Sequence, residues 1–369
     1  MLSAGDDYPI HQTAEPVAFA GTDRNFYDRY FFNGQAPDGS AFFAAAMGVY
    51  PHLGVIDAAV CFVRGGQRSV FASQALVDRM DTRVGPVRVR VEEPLKRLGL
   101  VLAETDGLAL DAVFTGRHPP IEEPRFTRRN GTRTLMDVTR MTQNGEWDGA
   151  LLVDGERLDL VGWRGTRDRS WGVRPIGAQD AQPLLPPMLP QFFWLWGPLN
   201  FEEHALFLHT NDDAEGTPWN RSAVLVDLTS GAEMKLGSPK IAVDWEPGTR
   251  RAARAVLTAA MPGGTIRVEM EPGQHFHMHG VGYGHPRFGH GMWRGEAATA
   301  AGGRPAASVD VERFDDFDPR VPGNAHVQAL VRATMTLPDG SVHEGRGVLE
   351  QLAFGPHAPS GFRDLFDLA

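Results

Sequence analysis

One cysteine, Cys61, is all the thiol this 369-residue chain carries. No intrachain disulfide can form, and no zinc or iron–sulfur site built on several cysteines is open to it. Its neighbours Val60, Phe62 and Val63 predict a buried thiol. A basic excess is missing too: 36 Lys and Arg stand against 46 Asp and Glu, a net charge of −10. That balance argues against nucleic acid and anionic membrane surfaces as partners, since both reward clustered cations. Met1 to Pro16 has neither a basic region nor an apolar run, so no secretory leader is read there and a cytoplasmic location is expected. The one long apolar stretch, Pro183 to Phe201, is interrupted by Pro183, Pro186, Pro187, Pro190 and Pro198, which forbid one unbroken helix, so no integral membrane segment is expected. Apolar residues at helical spacing never persist beyond two or three turns; Pro94–Leu98 and Gly361–Leu368 are the best helix candidates. G-x-S-x-G and H-E-x-x-H are absent, which argues against a hydrolase with an ordinary nucleophile.

What the chain has in quantity is turn chemistry, with 42 Gly and 27 Pro. Pro37-Asp38-Gly39 separates two apolar runs, proline presetting φ and glycine accepting a positive φ, and so predicts a hairpin. Similar signals recur at Arg64–Gln67, Thr105–Gly107, Asn130-Gly131, Val153–Glu156 and Leu337–Gly340. Between them, Val87–Val91, Leu108–Phe114, Ser222–Leu228, Thr265–Met270 and Ala329–Met335 are rich in Val, Leu and aromatics and read as strands. The expected fold is all-β with little helix: an N-terminal antiparallel β-domain over 1–180, a proline and aromatic linker over 181–200, and a C-terminal β-domain over 201–369.

Three clusters bear on chemistry. In Gly165-Thr-Arg-Asp-Arg-Ser-Trp-Gly172, period-two alternation turns Asp168 and Ser170 to one face and Arg167, Arg169 and Trp171 to the other. A carboxyl facing an enclosed apolar space has its pKa raised by desolvation and can donate a proton near neutral pH; a surface ion pair is the alternative for the same run. His275, His277, His279, His285 and His290 fall close together, and the first three share one face if the segment is extended. Such a set could chelate a metal as in a cupin-like enzyme, but consecutive same-face Cβ atoms are about 7 Å apart, and the next carboxylate after His279 is Glu296. No metal is expected there. The glycines of Gly280 to Gly291 lack the strand-GxGxxG-helix order and a P-loop lysine, so they do not predict a phosphate cradle. Phe192, Trp194, Tyr283 and Trp293 could wall a pocket for an apolar ligand. His204 shares a strand face with Leu206 and Leu208, which predicts a buried imidazole able to accept a proton, and His285 follows glycines that permit close backbone approach.

The layout of two β-rich halves, with Asp168-x-x-Trp171-Gly172 closing the first and Gly284-His-Pro-Arg-Phe-Gly-His-Gly-Met-Trp293 in the second, resembles the lipocalin-like superfamily that includes the carotenoid 1,2-hydratases (hydroxyneurosporene synthases). The resemblance implies two lipocalin-like antiparallel β-domains with a hydrophobic cleft, and acid–base chemistry on terpenoid or aromatic metabolites without metal or organic cofactor. It implies Asp168 as proton donor and Trp171 as an aromatic that packs on substrate or stabilises a cation; His204 and His285 are added as helpers. The histidine cluster and the Arg167 and Arg169 flanks depart from the carotenoid hydratases, so the same substrate does not follow. The sequence thus admits a cofactor-independent hydratase, lyase, isomerase or cyclase, a non-catalytic carrier of a small hydrophobic molecule, and a histidine–metal enzyme; a homodimer is compatible with each.

Overall fold

A computed structural model of the chain describes residues 2–11, 23–180, 182, 190–294, 305–314, 317–318, 320–321 and 324–369. It is all-β, with no α-helix among the described residues. The strands are β1 (Phe26–Gln35), β2 (Phe42–Tyr50), β3 (Val55–Val63), β4 (Gln67–Ala75), β5 (Arg83–Val84), β6 (Val87–Glu93), β7 (Arg97–Thr105), β8 (Leu108–Gly116), β9 (Ile121–Glu122), β10 (Phe126–Asn130), β11 (Arg133–Val153), β12 (Glu156–Asp159) and β13 (Arg164–Val173). They continue with β14 (Phe192–Phe201), β15 (His204–Asp212), β16 (Pro218–Asp227), β17 (Glu233–Lys235), β18 (Gly237–Trp245), β19 (Ala252–Met261), β20 (Gly264–His277), β21 (Ser308–Phe314), β22 (Val327–Thr336) and β23 (Val342–Phe354).

All pairings are antiparallel, and two sheets result. One runs β21-β4-β3-β2-β1-β13-β11-β8-β7-β6-β5, the other β17-β16-β15-β14-β23-β22-β20-β19-β18. The six turn signals in the sequence each join paired neighbours. At the first, Ala36 N–H donates to the Ala41 carbonyl, and Gly39 takes φ +75°.

The chain divides into two compact units, residues 1–187 with 280–315 and residues 188–279 with 316–369. Each sheet curls on itself. In the first unit Gln74 of β4 donates to the Arg83 carbonyl of β5 at 3.2 Å, and Val70, Ala72, Val84, Val87 and Val89 share one core with Tyr30, Phe32 and Trp147. In the second, Arg221 of β16 reaches the Pro239 carbonyl of β18 at 3.3 Å around a core of Leu195, Leu206, Leu225, Val268, Met335 and Leu349.

Several local expectations are corrected. Phe192–Phe201, read as irregular linker, is the ten-residue strand β14; its two aromatic-flanked ladders satisfy the backbone, and Pro198 is accommodated within it. Residues 181 and 183–189 of that linker lie outside the described residues. Residues 280–315 belong to the first unit, because β21 adds to the free edge of β4. Pro94–Leu98 is a turn entering β7, with Leu95 at φ +63°, which a right-handed helix cannot contain, and Gly361–Leu368 is likewise not helical.

Candidate active site in the first unit

The alternation expected for the Arg167-Asp168-Arg169 run holds, but the arginines occupy the core face. Arg167 stands opposite Phe32 and Arg169 opposite Tyr30, the residues of β1 that point into the core. Both cations are buried and matched. Arg167 pairs with Asp7 and donates to Gln143 Oε1 at 2.6 Å; Arg169 lies 2.6 Å from Asp28 Oδ1 and 3.9 Å over the Tyr30 ring. Asp28 also meets His11 Nδ1 at 2.6 Å, and the His11 ring stacks on Trp171 at 3.7 Å. Burial pushes the Asp28 carboxyl upward, but Arg169 and His11 outweigh it and hold its pKa below the ordinary value. Trp171 is therefore part of a buried ion-pair network.

Asp168 sits on the opposite face of β13. It is 6% exposed and paired with Arg140 Nη2 at 2.5 Å, while Arg140 also approaches Glu123 Oε2 at 3.4 Å. The pair ties β13 to its ladder neighbour β11.

The outer face of β1–β4 carries a second polar cluster. Tyr50 Oη donates to Asp57 Oδ1 at 3.1 Å and accepts from Arg29 Nη1 at 3.2 Å; Gly291 N–H donates to Asp57 Oδ2 at 2.8 Å. Residues 281–294 cover this face. Arg29 Nη2 donates to the Val281 carbonyl at 2.9 Å, Phe288 stacks on Phe71 at 4.5 Å, and Ser73 Oγ reaches the Met292 carbonyl at 3.3 Å. His290 Nε2 donates to the Val281 carbonyl at 3.0 Å while its Nδ1 accepts from Arg174 at 2.8 Å. Beneath this cover is a cavity of about 10 Å³, lined by Arg29, Asp57, Phe71, Val281, His290 and Met292 among others. That is the room one water needs.

Asp57 is the carboxyl of this cluster. Burial raises its pKa above the ordinary carboxylate value, and Arg29, the Gly291 N–H and Tyr50 offset only part of that rise. Burial and the neighbouring Asp57 push the Tyr50 phenol well up as well, so it stays protonated as a donor. A carboxyl of raised pKa, hydrogen-bonded by a tyrosine and set beside a cavity, keeps its proton to higher pH than an ordinary carboxyl, which is the property a general acid needs. Sequence reasoning passed over Asp57, Tyr50 and Arg29. The available signal was a lone carboxylate in the apolar run Val55-Ile-Asp-Ala-Ala-Val60.

Of the residues singled out from sequence, Tyr283 and His285 lie in the covering segment. Tyr283 receives Arg29 and Arg174 at 5.3 and 5.6 Å from its ring. His285 is buried with both nitrogens committed: Nδ1 accepts from the Arg287 and Phe288 amides, and Nε2 meets Glu312 of β21 at 2.9 Å. Those bonds fold the segment. Trp293 is 48% exposed, so it does not wall the cavity. Phe192, Trp194 and His204 belong to the second unit. Phe192 packs against Trp219 at 6.3 Å, and the buried Trp194 donates to Glu350 Oε1 at 3.0 Å. His204 is half-buried, not enclosed, because it is the first residue of β15; its ring lies 4.8 Å from that of His343. Burial and His343 lower its pKa. The expected one-face histidine trio is broken as well. His277 ends β20, and His279 lies in the following 3₁₀ turn Met278–Val281.

A model for a family of unknown function, DUF8625, matches residues 2–363. The chain belongs to that family. No curated protein matches it. Among solved structures, it is similar to an AttH protein from Nitrosomonas europaea (16% identity, TM-score 0.52, 93% of this chain and 98% of that one). It is also similar to kievitone hydratase from Nectria haematococca (11% identity, TM-score 0.53, 88% of each chain) and to CghA (11% identity, TM-score 0.50, 91% of each chain). At these identities the likeness establishes the fold, which is the lipocalin-like one expected for this DUF8625 member.

Proposed function

We propose that the protein is an acid–base enzyme of the hydratase or lyase type, acting on an unsaturated apolar metabolite of terpenoid or aromatic character. The observation that carries this reading is Asp57: a carboxyl of raised pKa, held by Tyr50 and the Gly291 amide beside a cavity the size of one water. The kinship of fold with a hydratase supports it as analogy only.

In the hydration direction Asp57 gives its proton to one carbon of the double bond, and water adds to the other. The proton lost by that water returns to the Asp57 carboxylate, so the acid is regenerated. Arg29, held through Tyr50, limits the charge that builds on Asp57 during the cycle. Asp57 takes the proton-donor role that the sequence leads one to expect of Asp168, whose ion pair with Arg140 suits a structural role instead. The segment 289–294 must yield to admit a substrate larger than water.

The test is incubation of the protein with a panel of unsaturated terpenoid and aromatic metabolites in H₂¹⁸O, read by mass spectrometry. The expected result is a product carrying one labelled water, lost in Asp57→Asn and retained in Asp168→Asn. Small molecules retained by the protein without any turnover would instead make it a carrier.

A further inference from the structure

The second unit contains two adjacent arginines with opposite fates. Arg250 spends its donors on the C-terminal segment: Nε on the Asp367 carbonyl, Nη1 on the Ala353 and Gly355 carbonyls, Nη2 on the Asp364 carbonyl and the Asp367 carboxylate. Arg251, at the entrance to β19, spends nothing comparable. Its Nε and Nη2 are shielded from solvent and have no hydrogen-bond acceptor. These two atoms form one edge of the guanidinium, the side-on fork whose parallel N–H groups match the two oxygens of a carboxylate.

The neighbourhood adds a third unsatisfied group. β19 pairs with β20 antiparallel, Ala255 opposite Met270, so Arg251 falls level with the end of β20 where His275 stands. His275 Nε2 is likewise shielded and unpartnered. Burial, then the charge of Arg251, lowers the His275 pKa to about 4 and, with the neighbouring histidines, that of His277 to about 3. Both rings are neutral at physiological pH, and His275 Nε2 can donate without adding charge. Phe317 stacks on His277 at 3.5 Å and supplies an apolar wall. Glu246 and Asp318 lie close enough to act on the Arg251 charge, yet neither supplies an acceptor to the fork.

We propose that the Arg251 fork and His275 form a binding site for the carboxylate of a small organic acid. A cation would meet the guanidinium, and a purely apolar ligand would leave desolvated donors unpaired. A planar carboxylate satisfies both atoms of the fork, and His275 can donate the third bond. The site does not depend on the Asp57 reading, and its test reads binding instead of turnover.

The experiment is a titration of the full-length protein, with ¹³C-labelled histidine rings, against sodium benzoate, neutral benzamide and inorganic phosphate. The His275 resonance is assigned by its loss in His275→Gln. The expected result is a saturable shift with benzoate and none with benzamide. Arg251→Gln should weaken benzoate binding at least about tenfold. Arg251→Lys, which keeps the charge but lacks the fork, should also weaken it and serves should Arg251→Gln fail to fold. Equal responses to benzoate and benzamide, or native affinity in a folded Arg251→Lys, would overturn the proposal. Tighter binding of phosphate than of benzoate would overturn the assignment to a carboxylate.

Discussion

Asp28 and Asp57 show how neighbouring groups send two enclosed carboxyls of one unit in opposite directions. Asp28 is fully buried with Arg169 and His11 in contact, and its pKa is lowered; for Asp57 the charge of Arg29 and the hydrogen bonds from Gly291 and Tyr50 offset only part of the burial, and its pKa is raised. Linkage gives the two opposite signatures. The stabilising contribution of Asp28 is present above the unfolded carboxylate value and is lost as pH falls through its lower folded value. That of Asp57 is complete below the unfolded value and is lost as pH rises through its higher folded value. Urea unfolding across pH should therefore show native protein losing stability relative to Asp57→Asn on going from acid to neutral pH. Relative to Asp28→Asn, it should lose stability on going from neutral to acid. Parallel pH curves for the two variants would contradict the assigned environments.

At the scale of the element, β13 carries charges on the face that most strands of this unit fill with apolar groups. Asp7 and Asp28 neutralise Arg167 and Arg169 there, a balance in which loss of one partner leaves an uncompensated buried charge. The strand is also held close to its neighbours by glycine. Gly172 has φ +134°, and a Cβ on it would lie 2.1 Å from the Asp137 carbonyl oxygen across the ladder. Gly172→Ala should therefore cost at least about 2 kcal/mol from crowding and backbone strain combined. Chemical denaturation checks this, and a neutral result would mean the ladder at Asp137 can yield.

At the scale of the molecule, the chain leaves the first unit and returns to it. β21 pairs with β4 along the full register from Ser308–Ser73 to Phe314–Gln67, and residues 281–294 cover Arg29, Asp57 and Phe71. A fragment ending at residue 187 would keep β1–β13 but expose the β4 edge and the uncovered polar and aromatic face. It should aggregate or bind a hydrophobic dye, and appending residues 280–315 through a flexible linker should suppress both. A soluble, cooperatively unfolding 1–187 fragment would show that the returning segment is dispensable.

The sequence by itself determined the class of fold. Turn residues and β-branched runs are local signals, so the hairpins at Pro37–Gly39 and Pro338–Gly340 and the antiparallel strands around them are legible in the residues alone. The alternation of Arg167, Asp168 and Arg169 is legible for the same reason, since period two is a property of the backbone. Which face of β13 points inward was decided only in three dimensions, by Asp7 and Asp28, the former 160 positions away from Arg167. The Asp57 site is only partly local: Arg29, Tyr50 and Asp57 sit on the consecutive strands β1, β2 and β3, but Gly291 and the rest of the cover come from far downstream. What raises the pKa of Asp57 is enclosure by a segment more than 200 positions downstream, contact that local patterning does not encode.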